Sequence, residues 1–136
     1  IGGWNNLLAV IPGGSSVPLI PKKICEKVLM DFDSLEKVNT SLGTGGVIVM
    51  NKSTDLLKAM TTISRFYKNE SCGQCTPCRV GTEKTVKLMQ NNKWNKKQLE
   101  DLSLVMADAS ICGLGQAATN PLKSIMKHFA DDIQYE

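Results

Sequence analysis

The chain has 136 residues, 42% of them hydrophobic and 21% charged, with a formal net charge of +3 at pH 7. This composition is that of an ordinary globular protein, and the length suffices for one compact domain or two small ones. The small net charge, and apolar runs all shorter than the ~18 residues of a membrane helix, predict a soluble or peripheral protein that neither inserts into membranes nor binds nucleic acid.

Residues 1–52 are predicted to be rich in short strands. Residues 7–11, 17–20 and 47–50 are extended or apolar segments of strand length, and the last is a β-branched run typical of a buried strand. Gly13-Gly14-Ser15-Ser16 lacks the ending of a phosphate-binding P-loop, so we interpret it as a turn. Cys25 has apolar neighbours and is interpreted as a small buried hydrophobic residue.

Residues 53–136 are predicted to form four helices packed as a small bundle. Ser53 is a plausible N-cap of the first helix, the second is expected to begin near Arg79, and Asn120-Pro121 to begin the fourth. The six methionines are assigned to core packing, and His128 to the surface of the last helix. The apolar stripes are Leu56, Leu57, Met60, Ile63, Phe66 and Tyr67; Val86 and Met89; Leu99, Leu102, Met106 and Ala109; and Leu122, Ile125, Met126, Phe129 and Ile133.

A dense group of basic residues lies between the second and third predicted helices. Lys93, Lys96 and Lys97 alternate there with Trp94 and Asn95. Such a patch could suggest nucleic-acid binding, but we interpret it as a solvated turn between two helices.

Four of the five cysteines form the pattern that carries the chemistry. Cys72, Cys75 and Cys78 follow each other in a C-x2-C-x2-C run, and Cys112 lies further along the chain. A [4Fe–4S] cluster is held by four thiolates, and a tight run with a distal cysteine is one of its known layouts. With all four positions filled by cysteine, no iron is left open to substrate, which favours electron transfer over catalysis.

Other interpretations of the cysteines stay open. A zinc-stabilised binding module could use four thiols, although a third cysteine at such short spacing crowds a single tetrahedral ion. A disulfide framework, or a thiol–disulfide enzyme using Cys72 and Cys75, leaves the third thiol without a role. Gly73 and Pro77 are expected to keep the chain around the clustered thiols out of regular helix, so that backbone N–H groups can turn toward sulfur. Gly113 and Gly115 are expected to do the same around Cys112.

Residues 70–79, with the sequence ESCGQCTPCR, resemble the cluster motif of the 51 kDa-type flavoprotein subunit of NADH:ubiquinone oxidoreductase, respiratory complex I. The motif is shared with diaphorase subunits of NAD-linked hydrogenases and formate dehydrogenases. Residues 110–115 resemble the distal-cysteine loop of this family, and residues 2–16 and 30–33 resemble its β-grasp domain. The chain departs from the respiratory pattern at Val80, where an acidic residue is usual, and residues 116–121 are closer to the hydrogenase-linked relatives.

The resemblance implies an α+β fold in two domains. Residues 1–52 would form a partial, soluble-ligand-binding β-grasp-like region that lacks its first strands, and residues 53–136 a four-helix bundle carrying a [4Fe–4S] cluster. Cys72, Cys75, Cys78 and Cys112 would be the cluster ligands, with no catalytic residue among them.

The resemblance also implies a role in electron transport. The full-length subunit would be an NADH dehydrogenase in which NADH reduces FMN in an upstream domain. The cluster would then pass electrons to 24 kDa-type and 75 kDa-type iron–sulfur subunits. This chain, a piece of that longer polypeptide, is not expected to be catalytic alone. Its expected location is the matrix of a mitochondrion or hydrogenosome, peripheral to the inner membrane in complex I, with the bacterial cytoplasm as the alternative.

Overall fold

A computed structural model describes all residues from Ile1 to Glu136. The chain forms two compact units, Ile1–Asp55 and Leu56–Glu136. The first unit contains all the strands, and the second contains helices, turns and one isolated β-bridge between Trp94 and Tyr135, so the fold is mixed and compatible with the predicted α+β class.

A three-stranded antiparallel sheet organises the first unit, in the order β2-β1-β3. The central strand β1 lies where a strand is predicted, and it buries every second residue, Leu7, Ala9 and Ile11. The elements of this unit are a 3₁₀ turn at Trp4–Asn6, β1 at Leu7–Ile11, β2 at Ile20–Pro21, α1 at Lys22–Cys25, α2 at Phe32–Lys37 and β3 at Ile48–Asn51.

Strand β3 is not the buried strand that its β-branched residues predict. It lies at the edge of the sheet, and Val47, Ile48 and Val49 are 49%, 38% and 43% exposed, whereas Met50 is buried. A β-branched run indicates strand propensity, but burial also requires neighbouring layers on both faces. Met30 is exposed as well, so the prediction that every methionine packs in the core is wrong at this position.

Glycines allow two loops of the first unit to approach each other backbone to backbone. The N–H of Thr44 donates to the carbonyl of Gly13 at 3.0 Å. A Cβ on Gly13 would lie 2.5 Å from the carbonyl oxygen of Ser41, and Gly43 has a φ of +47°. Residues 13–16 therefore form a structural turn.

Five helices form the second unit, four of them long and one short. Helix α4 packs against α3 and α5, and the short helix α6 packs against α4 and α5, so the predicted four-helix bundle is not confirmed in its simple form. No helix has both the length and the hydrophobicity that crossing a bilayer requires. The elements are α3 at Leu56–Glu70, α4 at Thr76–Met89, α5 at Lys96–Ala109, α6 at Gly113–Ala117, α7 at Asn120–His128 and a 3₁₀ turn at Ala130–Asp132.

The helix ends differ from the predicted ones where side chains make local turns. Ser53 does not cap α3, because its N–H and hydroxyl both donate to Asn51 Oδ1, at 3.1 and 2.8 Å, before the helix begins. Helix α7 ends at His128, so Phe129 and Ile133 lie beyond it, although Ile133 is still buried. His128 itself is half-buried rather than a surface residue.

Trp94 anchors the C-terminal tail of the chain. Its side chain is 2% exposed, and its indole N–H donates to the carbonyl of Met89 at 3.1 Å. Its backbone N–H donates to the carbonyl of Gln134 and its carbonyl accepts from Glu136. The lysines around Trp94 are exposed as predicted, but this tryptophan belongs to the core.

Candidate cluster-binding site

The predicted ligands lie where two loops of the second unit enter helices. Cys72 lies in the loop between α3 and α4, Cys75 is the N-cap of α4, and Cys78 lies in the first turn of that helix. Cys112 is the N-cap of α6. The expectation that all three clustered cysteines precede the second helix is therefore wrong, because α4 begins earlier than predicted.

Gly73 and Pro77 shape the run of cysteines in different ways. Gly73 has a φ of +77°, in the left-handed region that favours glycine, and this keeps the loop out of helix as predicted. Pro77 instead lies in the first turn of α4, where its missing N–H is not needed by the helix. Pro77 thus begins the helix rather than preventing it.

The segment that carries Cys112 lies against the Cys75 thiol. Hydrogen bonds from the backbone N–H of Ile111 and, to a lesser degree, of Cys78 lower the pKa of the Cys75 thiol, and the Ser110 hydroxyl acts in the same direction. Groups that donate to sulfur stabilise the thiolate, which is the form that binds metal.

Gly115 permits this close approach. A Cβ at this position would lie 2.9 Å from Cys78 Cβ and 2.4 Å from Ser110 Oγ. At neighbouring Gly113, by contrast, an added Cβ would meet nothing within 4 Å. Only the second glycine of α6 is therefore required for packing this segment against α4.

The four thiols differ in exposure. Cys72 and Cys112 are exposed, Cys75 is half-buried and Cys78 is buried, with its sulfur 3.3 Å from the hydroxyl of Ser71. Ile111, next to Cys112, is 80% exposed. The site therefore reaches the surface of the second unit.

Arg79 holds the loop between the first two thiols. Its guanidinium donates to the carbonyls of Gly73 and Gln74, the latter at 3.3 Å, and to Thr76 Oγ1 at 3.2 Å. From the sequence, a helix is expected to begin near Arg79, and no contact is assigned to its side chain.

The remaining predicted residues stay outside this site. Cys25 belongs to the first unit and is half-buried rather than fully buried, and burial raises the pKa of its thiol. His128 lies at the end of α7, where burial, and to a lesser degree the charge of Lys127, lowers the pKa of its imidazole.

A donor set of four thiols suits a four-iron cluster, which is held by four thiolates. No three His, Cys, Asp or Glu side chains converge closely enough to hold one ion. In a four-iron cluster each thiolate binds a different iron, so the sulfurs need not converge on a point. The Ser110 hydroxyl is buried without an oxygen or nitrogen partner, and it lies close enough to Cys75 to lower the pKa of that thiol. A buried donor of this kind suits an anionic sulfur ligand.

Comparison with known proteins agrees with the cysteine pattern. The model of the NADH-ubiquinone oxidoreductase-F iron-sulfur binding region matches residues 58–136. A subunit of the NADH-quinone oxidoreductase of Rickettsia bellii (strain OSU 85-389) is 50% identical over 139 residues, covering 98% of this chain and 33% of that protein. The mitochondrial NADH-ubiquinone oxidoreductase 51 kDa subunit of Aspergillus niger is 47% identical, covering 98% of this chain and 28% of that protein. The chain thus spans about a third of the length of these curated relatives.

Two solved structures also match this chain. A chain of the NAD⁺-reducing [NiFe]-hydrogenase in its H2-reduced state matches with a TM-score of 0.73 and 28% identity, covering 96% of this chain and 24% of that chain. A chain of the air-oxidized form matches with a TM-score of 0.75 and 26% identity.

Proposed function

This chain belongs to the family of NADH-ubiquinone oxidoreductase-F iron-sulfur binding regions, and we propose that it carries one [4Fe–4S] cluster that transfers electrons within a longer NADH dehydrogenase subunit. The proposed ligands are Cys72, Cys75, Cys78 and Cys112. The observation that supports them most directly is the packing of the distal segment, through Gly115, against the helix that bears Cys78.

When bound, the cluster would supply one-electron oxidation and reduction, and the chain's own residues would hold it in place. The N–H groups of Ile111 and Cys78 stabilise negative charge on Cys75. Arg79 fixes the loop that contains Cys72. Because all four proposed ligands are cysteines, no residue is assigned to catalysis.

The electron donor and acceptor would lie outside this chain. We propose that FMN and NAD bind in another part of the longer subunit, and that residues 1–52 and 53–136 are two of its domains. The acceptors would be 24 kDa-type and 75 kDa-type iron–sulfur subunits. Exposure of Cys72, Cys112 and Ile111 supports a partner approaching at this edge, because electron transfer requires a short distance between centres.

A diaphorase subunit of a soluble NAD-linked hydrogenase or formate dehydrogenase is the second candidate. Its specific support is the likeness to the NAD⁺-reducing [NiFe]-hydrogenase over 96% of the chain, together with the departure from the respiratory pattern at Val80, directly after the cysteine motif. Curated relatives include mitochondrial and bacterial proteins. We propose the matrix of a mitochondrion or hydrogenosome as the location, and recovery only in the cytosol after cell fractionation would contradict it.

Electron paramagnetic resonance tests the cluster proposal. The full-length subunit, purified anaerobically and reduced with dithionite, is expected to give a spin-one-half signal at low temperature and about four irons per chain. Cys112→Ala should lose the signal, whereas Cys25→Ala, a matched change outside the site, should keep it. Stoichiometric zinc without a signal would instead favour the zinc-stabilised binding module.

A further inference from the structure

A small cavity lies in the helical core of the second unit, and no proposed cluster ligand lines it. Its volume is about 10 Å³. One water molecule needs roughly 10–15 Å³ of cavity, so there is room for no more than a single water. All of its lining residues are buried, and they are Ser64, Tyr67, Thr82, Thr85, Met106, Ala118 and Thr119.

Two of the lining residues carry hydroxyls without a hydrogen-bond partner. Thr85 and Thr119 are 3% and 1% exposed, and their Oγ1 atoms are buried and unpaired. Buried hydroxyls are nearly always satisfied by protein or by ordered water, because leaving them unpaired costs free energy. Both residues line the same cavity, so one bound molecule could satisfy both.

Other lining hydroxyls offer acceptors for the same molecule. Thr82 Oγ1 donates to the carbonyl of Cys78 at 2.8 Å, and Ser64 Oγ donates to Met89 Sδ at 3.2 Å. A hydroxyl that donates one bond retains lone pairs that can accept another. A water in the cavity therefore has the two to four polar partners that buried waters typically have.

We propose that the cavity binds one structural water molecule, hydrogen-bonded to Thr85 Oγ1 and Thr119 Oγ1. Thr85 belongs to α4, and Thr119 lies at the junction of α6 and α7. The water thus joins the helix that bears Cys78 to the N-cap residue of α7, two residues after the end of the helix that Cys112 caps. Thr85 and Thr119 are then positioning residues for the two ligand-bearing segments, a consequence that rests on the proposed cluster function, whereas the water site itself does not.

A structure of the full-length subunit, at a resolution that shows ordered water, tests the site directly. One density peak is expected within hydrogen-bond distance of both threonine hydroxyls, and it should disappear in the double variant T85V/T119V. Two well-defined threonine side chains with no peak between them would overturn the proposal. This readout needs no bound cluster, so it separates failure of the water site from failure of the proposed function.

A double-mutant cycle tests whether the two hydroxyls share one partner. Thr85→Val and Thr119→Val should each raise the unfolded fraction about tenfold in urea. The double variant should raise it by about the same factor, because the first substitution already deprives the water of a partner. Thr85→Ser keeps a hydroxyl at this position, so its unfolded fraction in urea should be close to that of the wild type. Thr61→Val is the control, since Thr61 lies outside the cavity and its hydroxyl donates to Leu57 within α3. Fully additive losses, or losses no larger than that of the control, would overturn the shared site.

If the cluster proposal holds, a second readout applies to the same variants. Thr85→Val and Thr119→Val should lose iron to a chelator several-fold faster than Thr61→Val. Thr85→Ser should lose it at nearly the wild-type rate. If both variants lose iron at the same rate as Thr61→Val, Thr85 and Thr119 do not position the ligand-bearing segments. The density peak would still test whether the water is bound.

Discussion

Replacing Gly115 by alanine tests the contact that brings the distal segment against α4. The added Cβ would lie 2.6 Å from Ser110 Cβ and 2.9 Å from Cys78 Cβ, whereas few real contacts of a Cβ are shorter than 3.4 Å. Both neighbours are fixed to backbone, so they would have to withdraw by about 0.8 and 0.5 Å to reach that distance. Overpacking of this kind costs about 1–3 kcal/mol, and the helical preference of alanine returns up to about 1 kcal/mol. Because backbone-fixed neighbours place the cost in the upper part of that range, about 2–3 kcal/mol, we expect a net loss of about 1–2 kcal/mol in the free energy of unfolding.

Gly113→Ala is the matched control for this prediction. It changes the same helix in the same way, but the added Cβ meets nothing within 4 Å. The assay measures iron per chain after anaerobic purification, and unfolding in urea, for the wild type and both variants. The Gly113 variant should match or exceed the wild type in stability. The Gly115 variant should contain less iron per chain and unfold at a lower urea concentration. Equal iron and equal stability in the two variants would refute the packing argument.

Three further substitutions test other parts of the second unit. Arg79→Lys keeps the positive charge but lacks the planar guanidinium that donates several hydrogen bonds at once. This variant should therefore lose iron to a chelator nearly as fast as Arg79→Ala. A rate equal to that of the wild type would show that charge alone matters. Asn95 Oδ1 accepts from the N–H of Gln98 at the start of α5, so Asn95→Ala should lower the free energy of unfolding by about 1 kcal/mol, with exposed Asn92→Ala as the control in urea. The pKa of His128 is lowered in the folded protein, so the unfolded state binds its proton first and stability should fall as pH drops below about 6.5. His128→Gln should remove this part of the pH dependence of the urea midpoint, and an unchanged slope would contradict it.

The long helices could be predicted because their signals are local. Leu99 and Met106 recur at helical spacing, and both are buried in α5. The expectation that Gly113 and Gly115 keep the chain around Cys112 out of regular helix is wrong, because both lie in helix α6 although glycine is a poor helix former. The packing of Gly115 against Cys78 and Ser110 explains how such a weak segment holds its helical form. That contact joins residues far apart in sequence, so no local pattern reveals it.

Other features were missed for the same physical reason. Burial of Trp94 depends on the C-terminal tail that pairs with it, and exposure of β3 depends on its place at the sheet edge. The role of Arg79 depends on where the carbonyls of the cysteine loop point. The ligand set, by contrast, was predicted from the types and spacing of the cysteines alone, and it stays a prediction until metal is measured.

The geometry of the site and the charge state of the Cys75 thiol depend on one contact. Ile111, whose N–H does most to lower the pKa of Cys75, immediately precedes Cys112 in the same segment. That segment is held against Cys78 through Gly115. A change that displaces Cys112 would therefore also withdraw the principal donor to Cys75, and two of the proposed ligands would be weakened together. Because thiolates bind iron and thiols do not, cluster retention should respond to changes at this contact more steeply than the loss of a single ligand would suggest.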